Sequence, residues 1–168
     1  MKKYYVLDTN ILLQSPNAIY GFEDNTVVIT GTPLQERDSK KNLDGEIGYN
    51  ARQAARILED IRNRGNLIKG VKLKETGGKL IFEPNEVSQE NLPEGFDIKK
   101  PDNRIISSCI GIARKKKRAV ILVTNDIMMR ITYLAHNMKG STKCAQITFT
   151  ERESVRSALA TEALSRLD

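Results

Sequence analysis

The chain contains no tryptophan and few other aromatic residues, five tyrosines and four phenylalanines in 168 residues. That scarcity argues against binding of single strands mainly by stacking bases on aromatic platforms. There is one histidine, His136, and there are two cysteines, Cys109 and Cys144. With no CxxC pair and a single histidine, the inventory all but excludes a His/Cys metal centre or a Ser-His-Asp triad. The two cysteines, far apart in sequence, read as buried free thiols in a reducing compartment. His136 falls in the last turn of an expected helix and reads as structural. No apolar run approaches the roughly 20 residues a membrane span needs, so no membrane partner is expected. Met1-Lys2-Lys3 leads straight into a strand-length apolar run rather than a cleavable leader, and a cytoplasmic location is the expectation. Internal repeats and low-complexity segments are also lacking.

What is present suits one domain with a full core: 168 residues, 39% hydrophobic and 29% charged. The formal net charge of +6 favours an anionic partner, with nucleic acid first.

The chain alternates strand and helix signals. Tyr4-Tyr5-Val6-Leu7 is an apolar run that stops on Asp8, and Thr9 or Asn10 can cap a helix beginning at Ile11, broken by Ser15-Pro16-Asn17. A short second helix is expected over 18–22. Thr26-Val27-Val28-Ile29-Thr30 has the β-branched density of a buried strand and runs into Thr32-Pro33, a helix start, with Glu36 in the opening turns. Ile47, Ala51, Ala54, Leu58 and Ile61 step by four and three along one helical face, with Gly65 as its stop. The period then changes to two around Thr76-Gly77-Gly78, predicting a β-hairpin, read as decoration on the fold rather than a substrate flap. Residues 83–100 read as a polar connection. Pro101-Asp102-Asn103-Arg104 opens a helix with one apolar stripe that ends in five consecutive cations, 114–118, suited to a helix C-terminus and, less simply, to nucleic acid. Ala119 to Val123 is the best candidate for a central parallel strand and runs into Thr124-Asn125-Asp126 and a helix over 127–138. A last strand over 145–149 precedes a helix opened by Thr150, with Glu153 at capping-box spacing.

Three of these strands run out onto a carboxylate, Asp8, Glu36 and Asp126, while Asp102 opens a helix of the same alternating architecture. Asp8, Asp102 and Asp126 each suit a plain N-cap. Chance would scatter such acids over both ends of a sheet, whereas ligand sites in parallel α/β sheets lie beyond the strands' carboxyl ends. Two like charges ~4 Å apart repel by about 4 kcal/mol at an effective dielectric of ~20. Four converging carboxylates therefore need a cation or protons. Oxygen donors without His or Cys select a hard ion, Mg²⁺ or Mn²⁺, which keeps waters and accepts phosphate oxygens. A basic protein with such a pocket reads as a phosphodiester hydrolase.

The VLDTN ending of the first strand, Glu36 after Thr32-Pro33-Leu34, Asp102 in DNRII and Asp126 in TND resemble the PIN-domain ribonucleases. The chain is similar in particular to the PIN domain at the N-terminus of PhoH-type ATPases, through LDTNILLQSPNA, GYNARQAARIL, the ETGG hairpin, DNRII and NDIMMRI. The resemblance implies an α/β fold, a single PIN-like domain with a central parallel sheet flanked by helices, and an endonuclease acting on single-stranded RNA that leaves 5′-phosphate and 3′-hydroxyl ends. It also implies Asp8, Glu36, Asp102 and Asp126 as catalytic metal ligands for Mg²⁺ or Mn²⁺, supported by Thr124, Asn125, Thr9 and Asn10. Lys40, Lys41, Arg104 and Arg130, cations close in sequence to these acids, are candidate substrate contacts. The chain departs from the family pattern at Arg37, a cation beside Glu36, and Asp38 offers a further acid.

The expected organisation is a nuclease domain over 1–149 and a C-terminal helix over 150–168, read as a linker to a PhoH-type ATPase domain. No GxxxxGK[ST] loop occurs in the sequence. A homo-oligomer is expected, since relatives dimerise. The competing reading is a PIN-fold RNA-binding or assembly module that does not cleave, for which Arg37 speaks. A phosphate-signalling receiver, which wants a central phosphoacceptor Asp and a later Lys, and a haloacid-type phosphatase, which wants a DxD whose second acid Asp8-Thr9-Asn10 lacks, are disfavoured.

Overall fold

A parallel strand covered on both faces needs apolar side chains at nearly every position, and three segments meet that demand. They are β1 (Tyr4–Leu7), β2 (Thr26–Thr30) and β5 (Val120–Thr124), the last two buried along their whole length. In the computed structural model, which describes residues 2–31, 44–84, 88–136 and 142–146, these three form the middle of a six-stranded sheet. The order is β3-β4-β2-β1-β5-β6, with β3 (Val71–Lys72), β4 (Lys79–Glu83) and β6 (Thr142–Gln146) towards the edges. Every pairing is parallel except β3 with β4.

The hairpin expected around residues 76–78 is present, but its second strand is not decoration. Five residues of β4 pair in parallel with the whole of β2, Thr26 opposite Lys79 through Thr30 opposite Glu83. The turn is tight against the body of the domain. A Cβ on Gly78 would stand 2.5 Å from the carbonyl oxygen of Asn25 and 2.8 Å from that of Glu23. Only glycine lets these backbones approach so closely.

Helices cover both faces. On one side, α1 (Thr9–Gln14), a 3-10 turn (Pro16–Gly21) and α2 (Gly45–Asn63) enclose Leu7, Ile11, Leu12, Phe22, Ile29, Ala54, Leu58, Ile61 and Val123. On the other, α3 (Pro101–Lys116) and α4 (Ile127–His136) enclose Val6, Val28, Ile105, Ile106, Cys109, Leu122, Met129 and Tyr133. Cys109 is a buried free thiol, as its isolation in the sequence suggests.

Several boundaries differ from the sequence reading. Residues 18–21 belong to the 3-10 turn rather than an α-helix and Phe22 is its C-cap, since Pro16 fixes the turn's start. Ile47 is half exposed, and the buried face of α2 begins instead at Gly48, Asn50 and Ala51. Gly65 does not stop α2 in a left-handed cap; Arg64 closes it in right-handed geometry. β6 starts at Thr142, three residues before the expected strand, because it pairs residue for residue with β5 from Val120. The helix expected from Thr150 lies outside the described residues.

The cation run 114–118 closes α3. Lys117 takes a left-handed conformation (φ 52°) and its N–H returns to the Ala113 carbonyl. That helix descends against the sheet, so the run lies by the entry of β5, about 24 Å along a 16-residue helix from Pro101. The cations therefore complement the helix dipole at the end of the sheet remote from Asp8.

Candidate active site

The chain winds outward from β1 to β2 and β4, then returns to β5 on the opposite side of β1. Such a reversal opens a crevice between the strands where it occurs, at their carboxyl ends. Here those strands are β1 and β5, and the residues that leave them are Asp8 and Thr124.

Asp8 is almost completely buried, 4% exposed, and its backbone N–H extends the ladder by donating to Val123 at 3.0 Å. It occupies the N-cap position of α1, yet its side chain makes no capping bond. Instead the fully buried Thr124 hydroxyl donates to Asp8 Oδ2 at 2.8 Å, across the crevice. The same Thr124 oxygen accepts the Asp126 backbone N–H at 3.0 Å. One hydroxyl thus ties the exit of β1 to the start of α4. A carboxylate taken out of water is tolerable only with such partners, and this one is directed across the crevice rather than spent on a helix end.

Asp126 does serve as a cap. Its Oδ1 accepts the backbone N–H groups of Met128 and Met129 at 2.9 and 3.1 Å, leaving Oδ2 for other work. Asp102 is exposed in the first turn of α3, whose N-cap is Lys100, so it is not the cap residue the sequence allowed. It lines a cleft of ≈ 420 Å³ with Lys100, Asn103, Ile106, Met128 and Met129. Asp102 and the Asp126-capped turn of α4 therefore border the same cleft, on the sheet face that carries Val6 and Leu122.

Strand alternation places Asp8 and Thr124 on that face too, because Val6 and Leu122, two residues earlier, pack there. The register extends the row. Val6 is opposite Val28, which puts Thr30 level with Asp8, and Thr30 is opposite Glu83. Glu83, Thr30, Asp8 and Thr124 thus stand in line on four adjacent strands at their exit edge. Glu83 escaped the sequence reading because β4 looked like half of an appended hairpin; its signal was that Leu80 and Phe82 alternate with a terminal acid. The Thr30 hydroxyl is buried and has no hydrogen-bond partner among the described residues.

The remaining candidates are placed as follows. The Asn125 amide donates to Gln14 Oε1 at the end of α1. Asn10 is exposed on α1, and Thr9 opens that helix. Arg104 is half-buried on α3 and is not among the residues lining the cleft. Arg130 lies on α4. Glu36, Arg37, Asp38, Lys40 and Lys41 lie outside the described residues. Among the described residues no three acids, histidines or cysteines form a ready-made ion cage. The donor set is nonetheless all oxygen, the Asp8 carboxylate bonded to the Thr124 hydroxyl, which in turn accepts the Asp126 backbone N–H, and its chemistry fits a hard divalent cation.

Comparison with known proteins agrees with this architecture. A family model described as PIN domain matches residues 5–142. Over 136 residues the chain is 43% identical to Protein PhoH2 of Bacillus subtilis (strain 168), covering 78% of this chain and 30% of that protein. It is 36% identical over 128 residues to Protein PhoH2 of Mycolicibacterium smegmatis, covering 76% of this chain and 29% of that protein. The chain thus spans under a third of the length of the curated relatives it matches. Among solved structures, a domain of a functionally unknown protein from Methanocaldococcus jannaschii superposes with a TM-score of 0.56 at 18% identity, over 91% of this chain and 96% of the other. The PIN domain of T. brucei RRP44 gives 0.52 at 13% identity, over 100% and 85%. At these identities the superpositions speak to the fold alone.

Proposed function

The chain belongs to the PIN-domain family, and on that premise we propose that it is a metal-dependent endoribonuclease hydrolysing single-stranded RNA. The observation that carries the proposal is the Asp8 carboxylate, buried at the crevice between β1 and β5, held by Thr124 and not used to cap its helix.

Asp8, Asp126 and Asp102, with Glu36, are the residues that would hold Mg²⁺ or Mn²⁺. Bound there, such an ion lowers the pKa of water and offsets negative charge gathering on the phosphate. The chain's own residues do the positioning. Thr124 commits its proton to Asp8 Oδ2 and so orients that carboxylate, while Asp126 spends Oδ1 on the α4 turn and keeps Oδ2 for an ion. Asp102 meets the cleft from α3. Water attacks the phosphorus in line and the 3′-oxygen leaves, giving 5′-phosphate and 3′-hydroxyl ends without a covalent enzyme intermediate. Lys40, Lys41, Arg104 and Arg130 are proposed to contact neighbouring phosphates. In a longer protein the domain would work beside a PhoH-type ATPase domain, and a homo-oligomer is part of the same proposal. No described helix is long and apolar enough to cross a membrane.

The test is cleavage of an end-labelled single-stranded RNA with Mn²⁺, Mg²⁺ or EDTA, run beside Asp8→Asn and Asp126→Asn. Metal-dependent cutting by the wild type and loss in both variants is the expected result. Equal inertness of all three, with RNA binding retained, would favour a binding or assembly module instead.

A further inference from the structure

The row at the strand exits continues past Asp8 on the side away from Thr124. Thr30 ends β2 level with Asp8, and Glu83 ends β4 level with Thr30. Alternation puts all three on one face: Val28 packs there one pleat earlier, while Leu80, three residues before Glu83, packs on the opposite face. Strands lie about 4.8 Å apart, so the Asp8 and Glu83 backbones are separated by roughly 10 Å with the Thr30 hydroxyl between them.

Two features of this wing call for a ligand. The Thr30 side chain is fully buried, and its oxygen is without a hydrogen-bond partner among the described residues. A buried hydroxyl with neither its proton nor its lone pairs engaged is destabilising, and where Thr124 flanks Asp8 on the other side the equivalent hydroxyl is doubly engaged. Second, the register places Thr30 between two acidic positions, Asp8 and Glu83. A phosphate oxygen placed directly there would meet two negative charges, whereas a hydrated cation would meet three oxygen donors.

We propose that Thr30 and Glu83 form the outer wing of the Asp8 cation site, Thr30 engaging the ion's hydration shell and Glu83 balancing its charge from β4. This rests on the reading of Asp8 as a cation ligand. Thr30 and Glu83 are positioning residues in this account: they act on the ion's waters rather than on the reacting phosphate. They also explain why β4 is built into the sheet, since a free hairpin would not deliver Glu83 to this edge in register.

The experiment is Mn²⁺ binding to the full chain, measured by the electron paramagnetic resonance of free Mn²⁺, without RNA. The proteins are wild type, Asp8→Asn, Glu83→Gln, Thr30→Val and Thr30→Ser, each checked for folding by circular dichroism. Glu83→Gln and Thr30→Val should weaken Mn²⁺ binding by about tenfold to a hundredfold, the range for groups that support a metal from outside its direct ligands. Thr30→Ser should bind like the wild type. Thr30→Val should also raise the thermal midpoint of the metal-free protein, because it removes an unpaired buried hydroxyl. If Asp8→Asn loses the ion but Glu83→Gln and Thr30→Val bind as the wild type does, the wing is overturned and Asp8 stands. If the wild type itself binds no Mn²⁺, the cation reading of Asp8 falls and the wing falls with it.

Discussion

Thr124→Val isolates the hydroxyl that joins β1 to α4 while keeping the side chain's shape. Two bonds vanish: the one to the Asp8 carboxylate at 2.8 Å and the one from the Asp126 N–H at 3.0 Å. A hydrogen bond to a charged group contributes about 1.5–3 kcal/mol and a neutral one about 1 kcal/mol. The valine methyl returns less than about 1 kcal/mol at a site already buried. The net loss is therefore about 2–3 kcal/mol. Against a total stability of about 5–15 kcal/mol the variant stays folded at 25 °C. With a urea slope of about 1–3 kcal/mol/M the midpoint should fall by about 1 M or more. Cleavage should fall further than folding explains, by roughly ten- to a hundredfold at 25 °C, because about 1.4 kcal/mol of lost positioning is a factor of ten. Urea unfolding and single-turnover cleavage of labelled RNA read the two effects separately. Thr124→Ser keeps the hydroxyl and should stay near wild type in both. If Thr124→Val matched the wild type, or if Thr124→Ser were as damaged as Thr124→Val, the bridging role would be refuted.

Other outcomes follow from the same geometry. Asp126→Asn keeps an oxygen for the Met128 and Met129 N–H groups and should unfold within about 0.5 kcal/mol of wild type, whereas Asp126→Ala loses the cap and about 1 kcal/mol; both should lose cleavage, read by urea unfolding and RNA assay. Gly78→Ala should destabilise by about 1–3 kcal/mol, because its Cβ would strike the Asn25 and Glu23 carbonyls, and an unchanged thermal midpoint would contradict the packing described. Arg64, bonded to Glu75 and Asp60, holds the Glu75 carboxyl below its ordinary 4.5. A lowered carboxyl pKa adds stability that is present above the unfolded value and lost as pH falls through the folded one. Glu75→Gln should therefore flatten the stability profile below about pH 4.5 and leave it unchanged in slope near neutrality, the effect being small because the pair faces solvent.

Much of the fold was legible because parallel strands buried on both faces cannot avoid apolar density. Val27-Val28-Ile29 and Val120 to Val123 announced themselves, and β-branched runs of that length have few other uses. The placing of Asp8 followed from the same signal, an apolar strand ending on an acid. What could not be read was lateral order. Nothing local in Lys79 to Glu83 says that it pairs with β2, so the hairpin looked peripheral and Glu83 went unnoticed. Nor does a sequence distinguish two aspartates that both precede helices: Asp126 caps its helix and Asp8 does not, a difference created by Thr124 arriving from 116 residues away. Asn125 is legible no better, since its neighbour in sequence is Asp126 but its amide donates to Gln14 on another element.

The central claim is that the Asp8 carboxylate organises metal-dependent hydrolysis. Its most direct test sets single-turnover cleavage and RNA binding side by side for the wild type and Asp8→Asn in saturating Mn²⁺. The account predicts metal-dependent cleavage by the wild type, none detectable by Asp8→Asn, and RNA affinity within a few-fold of wild type for the variant. Cleavage by Asp8→Asn at the wild-type rate would contradict it.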